Sequence, residues 1–127
     1  MQQKHLFEYA VIRVVPKVER EEFINIGVIV YCAKENFLQC RYLLDEARLK
    51  AFSGDVEMGD LKEHLCSLER ICSGNKAAGP IGSLDIASRF RWLTATRSTI
   101  LQSSKVHPGF TENASETLNR LFEQLVN

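Results

Sequence analysis

The sequence lacks long hydrophobic runs and an excess of charge of either sign. Its 127 residues carry 16 Lys and Arg against 16 Asp and Glu, so the formal net charge is zero. No stretch approaches the roughly 18 apolar residues of a membrane span, and the first residues lack the apolar core and cleavage site of a secretory signal. We therefore expect a cytoplasmic protein without a membrane segment, in which any nucleic-acid surface is a local patch.

Closely spaced cysteine pairs are also missing. The chain has four cysteines, at Cys32, Cys40, Cys66 and Cys72. No two of them form a CxxC pair, their gaps do not match structural zinc sites, and the three histidines are widely scattered. Reduced cysteines of this kind are usually small buried hydrophobic residues. We therefore favour core packing over disulfides or metal ligation, and predict no metal site and no cofactor.

The sequence contains no phosphate-binding loop. The stretch 73–82 is rich in Gly and Pro, but it lacks the GxxxxGK[ST] spacing and does not lie between a strand and a helix in the required order. Its composition is typical of an exposed connector.

A β pattern dominates the N-terminal third. Alternating apolar residues predict strands over 6–15 and 22–32, separated by a charged loop that begins at Pro16. A third strand over 37–43 follows a connection of hairpin length. Requiring apolar faces to match places Ile12 opposite Ile26, and Val30 opposite Leu38. The three strands then form an antiparallel meander with one continuous apolar face.

The same register predicts a polar cluster on the other face of the sheet. It places Arg13 opposite Asn25 and Arg41 opposite Gly27, where the missing side chain leaves room for a ligand or for the arginine stem. Arg presents a planar fork of donors and Asn can both donate and accept, so these four residues are candidates for binding an anion such as phosphate or carboxylate. The alternative is structural: the arginines pair with nearby acids or lie across tyrosine rings.

Helical periodicity dominates the remainder of the chain. Asp45 is suited to cap a short helix, and leucines three and four residues apart predict a longer helix over 59–72. A final apolar stripe predicts a C-terminal helix with Thr111 as its N-cap, and 98–107 has room for one or two short strands. We predict a single α+β domain spanning 1–127, with an antiparallel sheet of three to five strands and two or three helices packed on one face.

A local excess of positive charge lies between residues 86 and 111, which contain no acidic residue. Arg89, Arg91 and Arg97 occur there together with Phe90 and Trp92, so weak binding of single-stranded nucleic acid is one hypothesis. The alternative is that the aromatic rings pack inward and the arginines are solvated or pair with acids of the preceding helix. These three arginines are secondary basic candidates.

Several blocks of the sequence resemble one protein family. They are the stretch 9–30 with its Arg13, Asn25 and Gly27 pattern, the Arg89-Phe90 and Trp92 block, and the stretch 107–126. These blocks resemble the bacterial family catalogued as domain of unknown function 3037. The resemblance implies a small single-domain protein often encoded beside a HipA-like serine/threonine kinase, and hence a partner or accessory role. It brings no catalytic residues with it.

Two hypotheses on function remain open at this point. The first is a non-enzymatic interaction or accessory module that acts with a HipA-like kinase. The second is an anion-, phosphate- or nucleic-acid-directed binder or enzyme that uses the Arg and Asn cluster on the sheet. The sequence leaves open whether the protein is an enzyme and what its oligomeric state is.

Overall fold

The residues that the structure describes form five strands and four α-helices. The computed structural model describes residues 4–54, 56–74, 76–95 and 100–126. In chain order the elements are β1 (His5–Val14), β2 (Ile24–Cys32), β3 (Phe37–Tyr42), α1 (Glu46–Phe52), α2 (Met58–Ser73), α3 (Ile86–Leu93), β4 (Leu101–Ser103), β5 (His107–Thr111) and α4 (Ala114–Leu125). Two segments of 3-10 helix, Val18–Arg20 and Lys76–Ser83, lie in the connections, so the Gly- and Pro-rich connector is largely made of tight turns.

The long strand β1 organises the sheet because it pairs with three other strands. It pairs with β2 along one side, and β2 pairs in turn with β3. Along its other side, β1 pairs with β5 over 5–9 and with β4 over 12–14. All of these pairings are antiparallel, as the alternating pattern predicted, and β3 is an outer strand.

Ser104 joins the two short strands that share the side of β1. Its backbone N–H donates to the Val11 carbonyl at 2.8 Å, and its hydroxyl accepts from the Val11 N–H at 2.8 Å. The hydroxyl replaces a backbone carbonyl at this point, because three residues of the β4 to β5 segment lie opposite two residues of β1. The ladder on this side of β1 therefore continues through an irregularity.

The predicted register of β1 and β2 is right at one end and shifted over the rest. Arg13 lies opposite Asn25, as expected from matching apolar faces. A β-bulge between Ile12 and Arg13 then places Ile12 opposite Gly27 instead of Ile26. An extra residue in one strand reverses the facing of all side chains beyond it, so face matching over the whole strand gave the wrong partner.

The register of β2 and β3 is also shifted by one residue. Arg41 lies opposite Val28, so the prediction that it lies opposite Gly27 was wrong. Tyr42 takes the place opposite Gly27. Because the Leu43 N–H bonds to the Ile26 carbonyl at 2.8 Å, the pair of Gly27 and Tyr42 is of the non-hydrogen-bonded kind, in which side chains approach most closely.

The helices cover both faces of the sheet. Fully buried Ile12, Val14 and Ile29 face the helices α1, α2 and α3, and their partners there include Leu49, Leu61, Leu65, Leu68, Ile71, Phe90 and Leu93. The opposite face packs on α4, through Phe7, Val28, Val30, Cys32, Ala114, Leu118, Leu121 and Phe122. The α+β class and the antiparallel sheet are confirmed. The structure has four helices where two or three were predicted, and it uses both faces because β2 is apolar on both.

Side-chain caps set the starts of the helices. The Asp45 carboxylate caps α1 as predicted. The start of α4 lies further along the chain than predicted, because Asn113 caps it by accepting from the Glu116 N–H at 3.0 Å. Thr111 instead ends β5, and its hydroxyl accepts from the Asn113 N–H at 3.0 Å. Among the described residues, no helix is both long and apolar enough to cross a bilayer.

Replacing Gly27 with alanine should destabilise the fold. A Cβ at this position would lie 2.7 Å from the Tyr42 Cβ and 2.8 Å from the Arg41 carbonyl oxygen, neither of which can move without separating β2 from β3. We expect Gly27→Ala to lower the free energy of unfolding by about 1–3 kcal/mol, measured by urea denaturation. Gly54→Ala is the matched control, since nothing lies within 4 Å of its added carbon, and it should stay within about 0.5 kcal/mol. Equal losses in both variants would contradict this account.

Candidate functional site

Arg13 and Asn25 lie side by side near the end of α4. The Asn25 amide donates to the Leu125 carbonyl at 3.3 Å, and the Arg13 guanidinium lies 3.9 Å from the centre of the Phe23 ring. Burial lowers the pKa of Arg13 from its ordinary value. The Nε of Arg13 and the Oδ1 of Asn25 are buried, and neither has a hydrogen-bond partner among the described residues. The pair therefore retains one unused donor and one unused acceptor.

Arg41 faces the same helix but makes contacts of its own. Its guanidinium donates to the Asn119 Oδ1 at 3.1 Å, lies 3.8 Å from the Glu123 carboxylate, and covers the Phe122 ring at 4.1 Å from its centre. An acid and an aromatic ring are the two kinds of partner expected if the arginines have a structural role. The Arg41 side chain therefore binds to α4.

Gly27 contributes to packing on the opposite face. The direction in which a side chain would point is taken by Tyr42 and Ile12. The remaining predicted candidates, Arg13, Asn25 and Arg41, share the α4 face of the sheet.

Arg89 fixes one helix to another. Its Nη1 donates to the carbonyls of Ile71 and Cys72, both at 2.8 Å, and its Nε donates to the Leu84 carbonyl at 3.1 Å. Carbonyls at the end of a helix lack partners within the helix and carry partial negative charge, which suits a guanidinium. Arg89 thereby joins the start of α3 to the end of α2.

The other secondary candidates are placed differently. Arg91 is exposed on α3, and Arg97 lies outside the described residues. Phe90 is buried in the core, whereas Trp92 on the same helix is 40% exposed. The aromatic rings of this block thus point both inward and outward.

A cleft of about 670 Å³ follows the outer edge of β3, and sequence reasoning missed it. All residues of 36–42 line one side. The other side is formed by α2 and α3, through Glu69, Cys72, Ser73, Ile86 and Arg89. The residues of its two walls lie between 27 and 53 positions apart in the chain, so only tertiary packing brings them together.

Backbone groups of β3 are unpaired along this cleft. Since the Leu43 N–H points to β2, the alternation of an antiparallel strand turns the N–H and C=O groups of Leu38, Cys40 and Tyr42 away from it. No hydrogen bond joins these outward groups to another group in the part of the chain that the structure describes. The cleft therefore exposes a row of alternating donors and acceptors.

Two side chains in the cleft, Tyr42 and Cys72, have raised pKa values. The Tyr42 hydroxyl donates to the Glu69 carboxylate, and burial followed by this hydrogen bond raises the pKa of Tyr42. A hydrogen bond with Cys40, followed by burial, raises the pKa of the Cys72 thiol. Neither group is prepared to act as a nucleophile at neutral pH.

The fold and the cleft define a small α+β protein with an open sheet edge. A family model described as "Protein of unknown function (DUF3037)" matches residues 9–126. The chain belongs to this family, and the resemblance seen in its sequence is confirmed. No curated protein and no solved structure matches the chain.

Removing the Arg89 guanidinium should weaken the fold more than removing that of its exposed neighbour Arg91. Arg89→Met leaves three carbonyls without a charged donor, so we expect a loss of about 1.5–3 kcal/mol in the free energy of unfolding. Arg91→Met should change it by less than about 0.5 kcal/mol. Chemical denaturation of the two variants measures the difference, and similar losses would contradict a structural role for Arg89.

Proposed function

We propose that this protein is a non-enzymatic interaction module that binds an extended segment of a partner protein along the outer edge of β3. The observation that carries the proposal is the row of unpaired backbone groups at Leu38, Cys40 and Tyr42, which faces a cleft. An extended peptide can add to such an edge as a further strand, with main-chain hydrogen bonds giving affinity and side-chain pockets giving specificity.

The two outer edges of the sheet differ in ways that support this choice. Natural sheets blunt their edges with short strands, bulges, Pro or Lys, since an open edge invites pairing. The β4 and β5 edge has these features: β4 has three residues, Pro108 lacks an N–H, and an irregularity lies between the strands. By contrast, β3 is continuous over six residues and contains neither Pro nor Lys.

The chemistry of the cleft favours binding over catalysis. Tyr42 and Cys72 stay protonated at neutral pH, and the Arg89 guanidinium is occupied by backbone carbonyls. Their contacts hold these side chains in the walls of the cleft, and the three groups do not form a pair of a catalytic acid and a catalytic base. We propose a HipA-like serine/threonine kinase, which the family resemblance suggested, as the first partner to test, in the cytoplasm.

Strand addition is tested by removing one outward N–H from β3. Cys40→Pro deletes that donor, while Cys40→Ala removes the same thiol and keeps the N–H. We expect Cys40→Pro to weaken binding of the co-expressed kinase at least about tenfold, equivalent to about 1.4 kcal/mol, and Cys40→Ala to retain binding. Calorimetric titration of the purified partners measures both affinities.

Hydrogen exchange provides an independent readout in the unaltered protein. The amides of Leu38, Cys40 and Tyr42 should become protected when the partner binds, because they then donate to its strand. Equal binding by the two Cys40 variants, together with unchanged exchange at these amides, would refute strand addition. A kinase that fails to bind the unaltered protein would refute that partner alone.

A second candidate function is binding of a phosphate or another anion on the α4 face. The unpaired Arg13 Nε and Asn25 Oδ1 favour it, because a partly protonated oxyanion can accept from the first and donate to the second. Arg13→Gln combined with Arg41→Gln should then abolish binding of inorganic phosphate or of a single-stranded oligonucleotide, with little change in melting temperature. Unfolding of the double variant would instead identify both arginines as structural.

A further inference from the structure

His5, Cys32 and Glu35 converge at the end of β1 opposite to Arg13. His5 begins β1, Cys32 ends β2, and Glu35 lies in the turn between β2 and β3. One potential ligand atom of each residue lies within 4.8 Å of those of the other two. The His5 Nδ1 is 3.2 Å from the Glu35 Oε2, and the Cys32 Sγ is 3.7 Å from the same oxygen.

The antiparallel pairing of β1 and β2 explains why these residues meet. The pair of Glu8 and Tyr31 brings the start of β1 beside the end of β2, and the alternation of side chains puts His5 and Cys32 on the same face. The turn after β2 then brings Glu35 back towards these two side chains. A hydrogen bond of 3.1 Å from the Asn36 N–H to the Ala33 carbonyl closes this turn. His5 comes from one segment and Cys32 with Glu35 from another some thirty residues away, so the search for closely spaced cysteine and histidine pairs could not reveal the cluster.

The two separations that involve Glu35 match those of ligands around a tetrahedral metal ion. Bonds of about 2.0 Å to nitrogen and oxygen and about 2.3 Å to sulfur, at tetrahedral angles, place N and O about 3.3 Å apart and S and O about 3.5 Å apart. The structure has 3.2 Å and 3.7 Å, and the ligand atoms of His5 and Cys32 lie within 4.8 Å of each other. Two of the three separations therefore already agree with a tetrahedral ion to within a few tenths of an ångström.

The carboxylate of Glu35 is held in place by its neighbours. Its Oε2 lies beside the His5 Nδ1, and the carboxylate accepts from the N–H at the start of α4. The Ala114 N–H lies 3.1 Å from both carboxylate oxygens. Oε1 can therefore keep the start of α4 in place while Oε2 binds an ion.

Cys32 is the ligand that must change its protonation state. Its thiol is buried and donates weakly to Glu35 and to the Leu6 carbonyl. An ion would replace the thiol proton, which leaves to solvent, while His5 binds as the neutral imidazole. Two anionic ligands would then balance a divalent charge.

We propose that His5, Cys32 and Glu35 bind one divalent transition-metal ion of the zinc class, with water as the fourth ligand. One sulfur, one nitrogen and one oxygen suit zinc and disfavour magnesium and calcium, which bind mainly oxygen. The side chains of His5 and Glu35 are 28% and 24% exposed, so an ion can enter from solvent. Three protein ligands leave a position open to exchange, unlike closed four-ligand structural sites.

Cobalt titration of the reduced, chelator-treated full chain tests this site. One equivalent of Co²⁺ should produce the visible bands of a tetrahedral ion and a thiolate charge-transfer band, Zn²⁺ should displace it, and excess Mg²⁺ should not. Cys32→Ser should remove the charge-transfer band. His5→Gln should weaken Co²⁺ binding at least about tenfold. Replacing a group that only hydrogen-bonds to a metal ligand already has effects of that size, so loss of a ligand should do at least as much. Because His5 is partly exposed, that variant should keep its circular dichroism spectrum and so remain informative if Cys32→Ser does not fold.

Two further thiol variants exclude other origins of the signal. Cys66→Ser removes an exposed thiol on α2, and Cys40→Ala removes one of the two hydrogen-bonded thiols in the β3 cleft. Both should retain the full charge-transfer band. The proposal is overturned if the unaltered protein gives no such band, if His5→Gln binds Co²⁺ as tightly as the unaltered protein, or if Cys40→Ala loses the band. The last result would place the ion at Cys40 and Cys72.

Discussion

The β-bulge between Ile12 and Arg13 decides which side chains of the sheet meet which helices. Beyond it, the facing of β2 reverses, so Val28, Val30 and Cys32 turn to α4 while Ile29 turns to α2 and α3. The register of β3 follows from β2, and Gly27 permits the close approach that this register requires. The bulge therefore sets the composition of both cores and of each polar cluster next to them.

The central strand β2 is buried on both faces, whereas the outer strand β3 has backbone groups that a ligand can reach. A strand that is covered by helices above and below and by strands on each side has no surface left for a ligand. The outer strand β3 is covered on its faces by α2 and α4 but keeps one row of backbone groups open. Rigid layers around a single open edge are a suitable scaffold for recognition, because the edge is ordered before a partner arrives.

Local features of the fold could be predicted from the sequence, and long-range ones could not. The apolar periodicity of 59–72 predicts a helix, and the carboxylate of Asp45 predicts a helix start. Both signals depend only on residues close together in the chain, and both predictions were confirmed. Pairing of Arg13 with Asn25 was also found, because it lies before the bulge. The predicted partner of Arg41 was wrong, because β2 is apolar on both faces and matching apolar faces therefore does not fix which residue of β3 lies opposite.

The same distinction applies to the candidate sites. Arg89 was noticed as a charge in a basic stretch, but its carbonyl partners come from the end of another helix. The cleft along β3 and the cluster of His5, Cys32 and Glu35 each combine segments that are distant in the chain. Spacing rules find ligands that lie on one turn or one helix, so they pass over sites that only the paired sheet assembles.

The irregularity at Ser104 has a consequence for assembly. By interrupting the β4 and β5 side of the sheet, it leaves that edge unsuited to receive another strand, while the β3 edge stays open. A molecule with one open edge and one blunted edge can accept a strand at the open edge, but its other edge cannot pair with a further molecule. The proposed strand addition would therefore end in a closed complex of fixed stoichiometry, and it would not continue into a fibre.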